Sequence, residues 1–305
     1  MKMNISHKFK RLVYKTAIRG IVRLVQSCCI PSLDDVKVDI NVVQDVPVDL
    51  YRSSVTFNQV LFGAFTKVHE SECVFIDVGV NVGQNLIAHF TNFSDARYVG
   101  FDPNPASITV AEHLCIRNGF QALLICAGLS NTSSRMKLVK ESSTDSECKV
   151  SSSDQRNCDR SLSTIVQTDA LDSWSDMFLS LGKHWFVKID VEGHELQVLQ
   201  GMCSVMSEIR PVISCEILGG SYIYELDVLR QKAKLIESTL SSHSYDMYLI
   251  DLIYYAERSQ LRLRRIDEIP VGLYAEMRGI TDYLFVPSEY GSQLVYEFLV
   301  SEPLE

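Results

Sequence analysis

"VFIDVGVNVGQN", Val74 to Asn85, is the stretch on which the fold turns. An apolar run leads into an acid, Asp77, and two glycines, Gly79 and Gly83, then straddle Asn81. Uninterrupted apolar residues bounded by a glycine turn read as a buried strand. The glycines let the turn adopt positive φ and let backbone approach a ligand closely. "GQNLIAHFTNF" continues with helical spacing. A strand, a tight glycine turn and a helix in that order commonly hold a nucleotide.

The same alternation repeats on both sides. Upstream, "FNQVLFGAFTKV" reads as a helix entering the first strong strand. Downstream, "RYVGFD" is a short buried strand ending on Asp102, and "PASITVAEHLCIRNGF" is a helix closed near Asn118–Gly119. "QALLICAGLS" reads as another buried strand and loop. "STIVQTDALDSW" reads as a strand, with Asp172 as a helix N-cap. "HWFVKID" and "RPVISCEIL" are strands around "GHELQVLQGMCSVM", a helix with Leu196, Leu199 and Met202 on one face. "YELDVLRQKAKLIESTL" is a further helix. The tail carries three strands, "YDMYLIDLIYYA", "QLRLRRI" and "DYLFVP", with "ERSQ" as the turn between the first two. Strands alternating with helices predict a parallel α/β sheet. "VFIDV", "ALLIC" and "WFVKI" are too continuously apolar for a half-exposed antiparallel sheet. The tail strands then make a mixed edge. One domain over residues 71–305 follows, with residues 1–70 as an added cap.

Two segments stand apart. "HKFKRLVYKTAIRGIVRLVQSCCI" interleaves Lys8, Lys10, Arg11, Lys15, Arg19 and Arg23 with apolar residues in a basic amphipathic pattern. Charges interrupt any apolar core of a signal peptide. Such a helix either lies on an anionic membrane face or packs its stripe on the protein body, the favoured reading. Residues 34–56 suggest short strands broken at Pro47. Residues 140–161 are Ser-rich and polar, a long surface loop or hairpin tip.

Composition narrows the function. The 305 residues are 46% hydrophobic and 22% charged, ordinary for a globular protein. A net charge of −9 and a pI near 5.3 lack the basic footprint of a nucleic-acid binder. The nine cysteines form no CxxC pair and sit mostly in apolar runs, as reduced thiols of a cytoplasmic protein do. No run reaches ~18 apolar residues, the length that a membrane span needs.

An open α/β sheet binds ligands beyond the carboxyl ends of its strands. The residues there are Asp77–Gly83, Asp102–Pro105, Ala127–Ser130, Asp190–Glu195 and Glu216. Gly79-x-Asn81-x-Gly83 is not the GxGxxG spacing that seats a pyrophosphate. Asp77 at the head of the turn would repel a pyrophosphate and favour a cation. Asp102 stands where an acid accepts both hydroxyls of a ribose. A cationic nucleoside such as S-adenosylmethionine satisfies all three observations.

In order, "FIDVGVNVGQN", "YVGFDPNP", "IRNGF", "AGLSN", "VQTDALDSW", "WFVKIDVEGHELQVLQGM" and "RPVISCEI" resemble the FkbM family of class I S-adenosylmethionine-dependent methyltransferases. The resemblance covers roughly residues 57–217, and "KIDVEGHE" is its most specific stretch. It implies a Rossmann-like, seven-stranded, mostly parallel sheet with helices on both faces and an antiparallel C-terminal edge strand. It also implies cofactor contacts from Asp77, Gly79, Val80, Asn81, Gly83, Asp102, Pro103 and Ala127. Ser130 stands where the family carries an acid, and Asn118 matches a structural helix-end asparagine. The implied reaction is O-methylation of a hydroxyl on a sugar, glycan or related natural-product acceptor. Asp190, Glu192 and His194 are the candidate bases and Glu216 a substrate contact. A divalent metal on these carboxylates is the less favoured alternative.

Plainer roles compete at several positions. Asp190 and Glu192 are also placed to cap a helix, and Glu195 sits in a favourable first turn. His194 reads equally well as a surface histidine. Lys188 suits a buried ion pair or snorkelling as well as a substrate contact. His184 and Trp185 look like packing at a strand entry. As whole-protein alternatives, a nicotinamide-dependent Rossmann oxidoreductase lacks its glycine pattern, and a non-catalytic relative has no need of the intact turn.

Overall fold

The structure is a computed structural model that describes residues 57–69, 72–93, 96–140, 149–151, 162–218, 220–221, 226–255, 258–273 and 281–290. The basic amphipathic helix, the strands expected within 34–56 and most of the Ser-rich stretch lie outside the described residues.

Chain order runs α1 (Phe57–His69), β1 (Cys73–Val78), α2 (Gln84–Asn92), β2 (Arg97–Phe101), α3 (Pro105–Asn118), β3 (Ala122–Ile125), β4 (Gly128–Leu129), β5 (Ser134–Lys140), β6 (Lys149–Ser151) and β7 (Leu162–Asp169). A 3₁₀ turn over Leu171–Trp174 leads to α4 (Ser175–Leu179), β8 (His184–Ile189), α5 (Glu195–Gln200), α6 (Cys203–Glu208), β9 (Val212–Glu216) and β10 (Gly220–Ser221). The chain ends on α7 (Leu226–Ser242), β11 (Tyr245–Tyr255), β12 (Arg258–Ile266), β13 (Gly272–Leu273) and β14 (Asp282–Pro287).

The main sheet has the order β12-β11-β14-β9-β8-β1-β2-β3. From β3 to β9 all neighbours are parallel, while β14, β11 and β12 add antiparallel. The sheet has eight strands where seven were expected: "QLRLRRI" hairpins back on β11 and adds the outermost one. Its turn is shorter than "ERSQ", because Arg258 already pairs with Tyr255. β5 to β7 with β4 form a separate small sheet.

Pleating explains the apolar runs. Phe75 and Phe186 face one layer, Val74, Ile76, Trp185 and Val187 the other, and all are buried. On the first face α1 lays Phe62 edge-on against Phe75, with ring centroids 5.3 Å apart. The last helix of the expected 1–70 cap thus packs directly on the sheet. The second face carries α5, α6 and α7 through Leu196, Leu199, Met206 and Ile236. β3 corrects another expectation: Leu123 is 39% exposed, because β3 ends the sheet with a neighbour on one side only. No helix among the described residues is long and apolar enough to cross a membrane.

Local chemistry sets the boundaries. Asn104, not Asp102, caps α3 by accepting from the Ala106 amide, and Pro105 sits at its first position. Gly119 closes α3 at φ 73°. "GHELQVLQGMCSVM" is two helices, not one. The Ser130 carbonyl presses so closely on Gly201 that a Cβ there would lie 1.9 Å from it. Asp172 does not cap its own turn. It reaches across to accept from the Ser204 and Val205 amides at 3.1 and 2.9 Å, starting α6 after the break.

Candidate functional site

The carboxyl ends of β1, β2 and β8 converge on a cleft. Its walls include Gly79, Asn81, Asp102, Pro103, Gly128, Asp190, Glu192 and His194. All but Gly128, which lies in β4, come from the turns after three neighbouring parallel strands, which is where a ligand site belongs in an open α/β sheet.

Gly79 is required twice over. Its φ is 93°, and a Cβ would lie 2.0 Å from the Asp190 carbonyl oxygen. The two strand-end turns are therefore in backbone contact. Asn81 and Glu192 both hold φ 51°. Left-handed backbone at two non-glycine residues lining one cleft is strain of the kind that functional sites retain. Asn81 also has a buried side-chain oxygen without a hydrogen-bond partner.

Asp102 is 7% exposed and held at both oxygens. Oδ2 accepts from the Asn81 amide and Oδ1 from the Asn104 amide, each at 2.8 Å. Burial pushes its carboxyl up to about 6, against the pull of those two amides. Each oxygen keeps a lone pair for a ligand donor.

Asp77 lies elsewhere than expected. It is fully buried beneath the turn, where Tyr98 donates to Oδ2 at 2.5 Å and Lys188 Nζ lies 3.2 Å from Oδ1. Lys188 also donates to the Gly79 carbonyl at 3.1 Å and pairs with Asp190 at 3.3 Å. Burial alone would lower the Lys188 pKa, but Asp190 and then Asp77 raise it. Burial likewise raises the Asp77 carboxyl, opposed first by Lys188. With a phenol and an ammonium both directed at it, Asp77 is the carboxylate of a buried ion pair. Val80 is 2% exposed and packs in the apolar layer behind the cleft. Gly83, at φ 84°, opens α2, and Ala127 is buried beside the lining Gly128. Asp77, Val80, Gly83 and Ala127 thus build the wall, while Gly79, Asn81, Asp102 and Pro103 form its surface.

Across the cleft, the turn after β8 is clamped from behind. Glu195 is 1% exposed, accepts from the Gly193 amide at 2.6 Å and pairs with Lys232 of α7. Lys232 also donates to the Gly193 carbonyl at 2.9 Å. The clamp sets Glu192 and His194 in the cleft wall. His194 Nε2 lies 3.0 Å from Ser130 Oγ, and burial lowers its pKa, so the imidazole is neutral near pH 7. Ser130 therefore bonds to His194 where the family's acid is expected. Nothing in the sequence marked Lys232, which sits in an ordinary charged helix.

Glu216 does not face this cleft. It lines a second cavity with Asn58, Ser214, Asp282 and Asp190. Asp282 is its direct neighbour across the β9–β14 pairing. Burial, then repulsion by Asp190, Asp282 and Glu192, pushes Glu216 up to about 8. Burial pushes Asp282 up to about 6. Among the described residues no group of three or more His, Cys, Asp or Glu is arranged to hold a metal ion.

Residues 77–250, more than half of the 305, match the profile described as the methyltransferase FkbM domain. The chain belongs to the FkbM methyltransferase family. Both turns around the cleft fall within the matched segment of this FkbM protein. A search of curated proteins returns no match. Among solved structures, it is similar to magnesium protoporphyrin IX methyltransferase from Synechocystis PCC 6803 with bound SAM (11% identity, 93% of this chain and 98% of that one, TM-score 0.36). It is also similar to precorrin-6y C5,15-methyltransferase from Geobacter metallireducens (10% identity, 75% and 88%, TM-score 0.34). A third is the ribosomal protein L11 methylase from Lactobacillus delbrueckii subsp. bulgaricus (13% identity, 75% and 76%, TM-score 0.32). Likenesses this distant carry no argument, and membership rests on the family match.

Proposed function

We propose that this FkbM methyltransferase methylates a hydroxyl on a sugar, glycan or related natural-product acceptor, with S-adenosylmethionine as donor. The observation that carries this reading is the position of Asp190, which lines both the cleft at Asp102 and the second cavity at Glu216. One carboxylate is thus shared between the cleft and a largely polar chamber beside it.

The cleft fits the donor on three points. Asp102 keeps lone pairs for ribose hydroxyls. Asn81 offers a buried oxygen with no partner to an ammonium or hydroxyl donor. Asp190 and Glu192 favour a cation. When bound, S-adenosylmethionine supplies a sulfonium methyl: the acceptor oxygen bonds to that carbon as the carbon–sulfur bond breaks, and the electron pair stays on sulfur.

The protein's part is positioning and proton removal. Asp190 lines both sites and Glu192 the cleft wall beside it, and one of them takes the hydroxyl proton. His194, neutral and held by Ser130, helps shape the wall beside them. Lys188 pairs with Asp190 and fixes the Gly79 carbonyl, which ties the donor turn to the catalytic turn.

Thermal unfolding with S-adenosylhomocysteine, NAD and NADP tests the donor, because a ligand that binds only the native state raises the midpoint. S-adenosylhomocysteine should stabilise the protein and the nicotinamides should not. A response to NAD alone would sink the reading. Isotope-labelled S-adenosylmethionine with candidate glycans, followed by mass spectrometry, tests the acceptor. Label appearing on nitrogen or carbon, and never on oxygen, would replace O-methylation.

A further inference from the structure

The second cavity sits at the carboxyl ends of β8 and β9 and the amino end of the antiparallel β14, and its lining is polar apart from Ile189. Asn58, Asn85, Ser214, Glu216, Asp282 and Asp190 line it. Lys188, the only cation among the described residues of its lining, is already committed to Asp77, Asp190 and the Gly79 carbonyl. An anion entering there meets three carboxyl groups and no unengaged positive charge, so its desolvation goes uncompensated. A hydroxyl-rich neutral group finds amides, a hydroxyl and carboxyls, each able to donate or accept.

Asn58 supplies an observation independent of the acids. It lies in the first turn of α1 and is 5% exposed. Ser214 donates to its Oδ1 at 2.7 Å, which fixes the amide plane. Asn58 lines the cavity, and with its Oδ1 engaged by Ser214 the amide retains its Nδ2 donors. Asn58 and Asp282 both lie outside the segment 77–250 shared with the family.

We infer that this cavity is the acceptor subsite, that Asn58 and Asp282 position the acceptor, and that the site takes a neutral hydroxyl-rich group and turns anions away. The inference rests on the methyltransferase reading above. It adds that acceptor choice comes from α1 and β14, which flank the shared segment, while donor and base lie within it.

Saturation-transfer NMR on the protein loaded with S-adenosylhomocysteine tests this without knowledge of the natural acceptor. The probes are methyl glycosides of glucose, galactose, mannose and N-acetylglucosamine, with glucose 6-phosphate as the anionic control. At least one glycoside should receive saturation, and the phosphate about fivefold less or none. Asn58→Asp keeps an oxygen for Ser214 but removes the amide donor. It should lower the glycoside signal by about fivefold or more, in line with one lost hydrogen bond, while S-adenosylhomocysteine affinity stays within about twofold. Asp282→Asn, which retains shape, serves as the second variant and should weaken the same signal. The inference is overturned by unchanged glycoside signals in both variants, by phosphate binding as well as the glycosides, or by no glycoside signal from a protein that binds S-adenosylhomocysteine. Failure of the wild-type protein to bind S-adenosylhomocysteine would instead remove the methyltransferase reading beneath it.

Discussion

The two chambers on either side of Asp190 are built on opposite plans. At the donor cleft the acid is pinned: two backbone amides hold Asp102, and the turn beneath is locked by Lys188 and Tyr98. At the second cavity the acids are loosely held and crowd one another. Glu216 has like charges at Asp190, Asp282 and Glu192, and Asp282 accepts from the neighbouring Thr281 hydroxyl. A ligand that never varies rewards a prebuilt socket. A wall of side chains with spare bonding capacity can be retuned without disturbing the sheet. If the contrast is real, substitutions on the two sides must separate donor binding from turnover.

The largest effects belong to the candidate bases, Asp190 between the chambers and Glu192 in the cleft wall. Asp190→Asn and Glu192→Gln should leave S-adenosylhomocysteine affinity near wild type, and at least one should lower turnover by about 10²–10⁴-fold, the usual contribution of a positioned base. Single-turnover rates with labelled donor read this directly. Full activity in both variants would show that neither takes the proton. Next comes Lys188→Met. It strands Asp77, which is fully buried, and removing one partner of a buried pair costs about 3–5 kcal/mol. Urea unfolding should show that loss. A second change, Asp77→Asn on the Lys188→Met background, should recover part of it, since no unpaired charge is then left. No recovery would mean that the pair is not what holds the turn.

Which of these groups could be read in advance follows physical lines. The mostly parallel sheet and the glycine turn were readable because burial on both faces writes itself as continuous apolar runs, and a left-handed turn writes itself as glycine. Gly79 was recoverable on those grounds, and the C-terminal antiparallel edge from the strand signals of the tail. Asp77 was placed correctly in the chain but on the wrong side of the turn. A strand-end acid looks the same in sequence whether it faces a ligand or a buried lysine, and only Lys188 on the neighbouring strand decides. Lys232 and Asn58 left no local signal, because each acts on a turn or cavity far away in the chain. The break at Gly201 comes from Ser130, seventy-one positions earlier, and no helical periodicity encodes it.

On the donor side, Asp102→Asn tests how much of the pinned acid is recognition. The amide presents N–H where Asn81 or Asn104 already points an N–H, so one of the two bonds at 2.8 Å is lost along with the charge. Hydrogen bonds to a charged group are worth about 1.5–3 kcal/mol, so S-adenosylhomocysteine affinity should fall by about tenfold or more by calorimetry. Turnover at saturating donor should change less than affinity does. A loss confined to turnover would move Asp102 from donor binding to chemistry.

The smallest effect is the most discriminating for the crowded side. Glu216 is raised from 4.5 to about 8 by burial first and neighbouring acids second. Its folded form therefore keeps a proton that the unfolded chain gives up above 4.5. The sign follows: relative to Glu216→Gln, the wild-type protein loses stability as pH rises from about 4.5 through about 8, and gains none beyond. Paired unfolding curves at pH 5, 7 and 9 measure that difference directly. A difference that stays flat would mean the carboxyl ionises normally, with a cation or ordered water relieving the crowding. If the slope is found, neutral Glu216 has a proton to donate at pH 7, and acceptor KM should rise severalfold between pH 7 and 9 in the wild type but not in Glu216→Gln. Donor affinity, set across Asp190 by Asp102, whose carboxyl is pushed up only to about 6 and so is already ionised at pH 7, should stay nearly level over the same interval in both proteins.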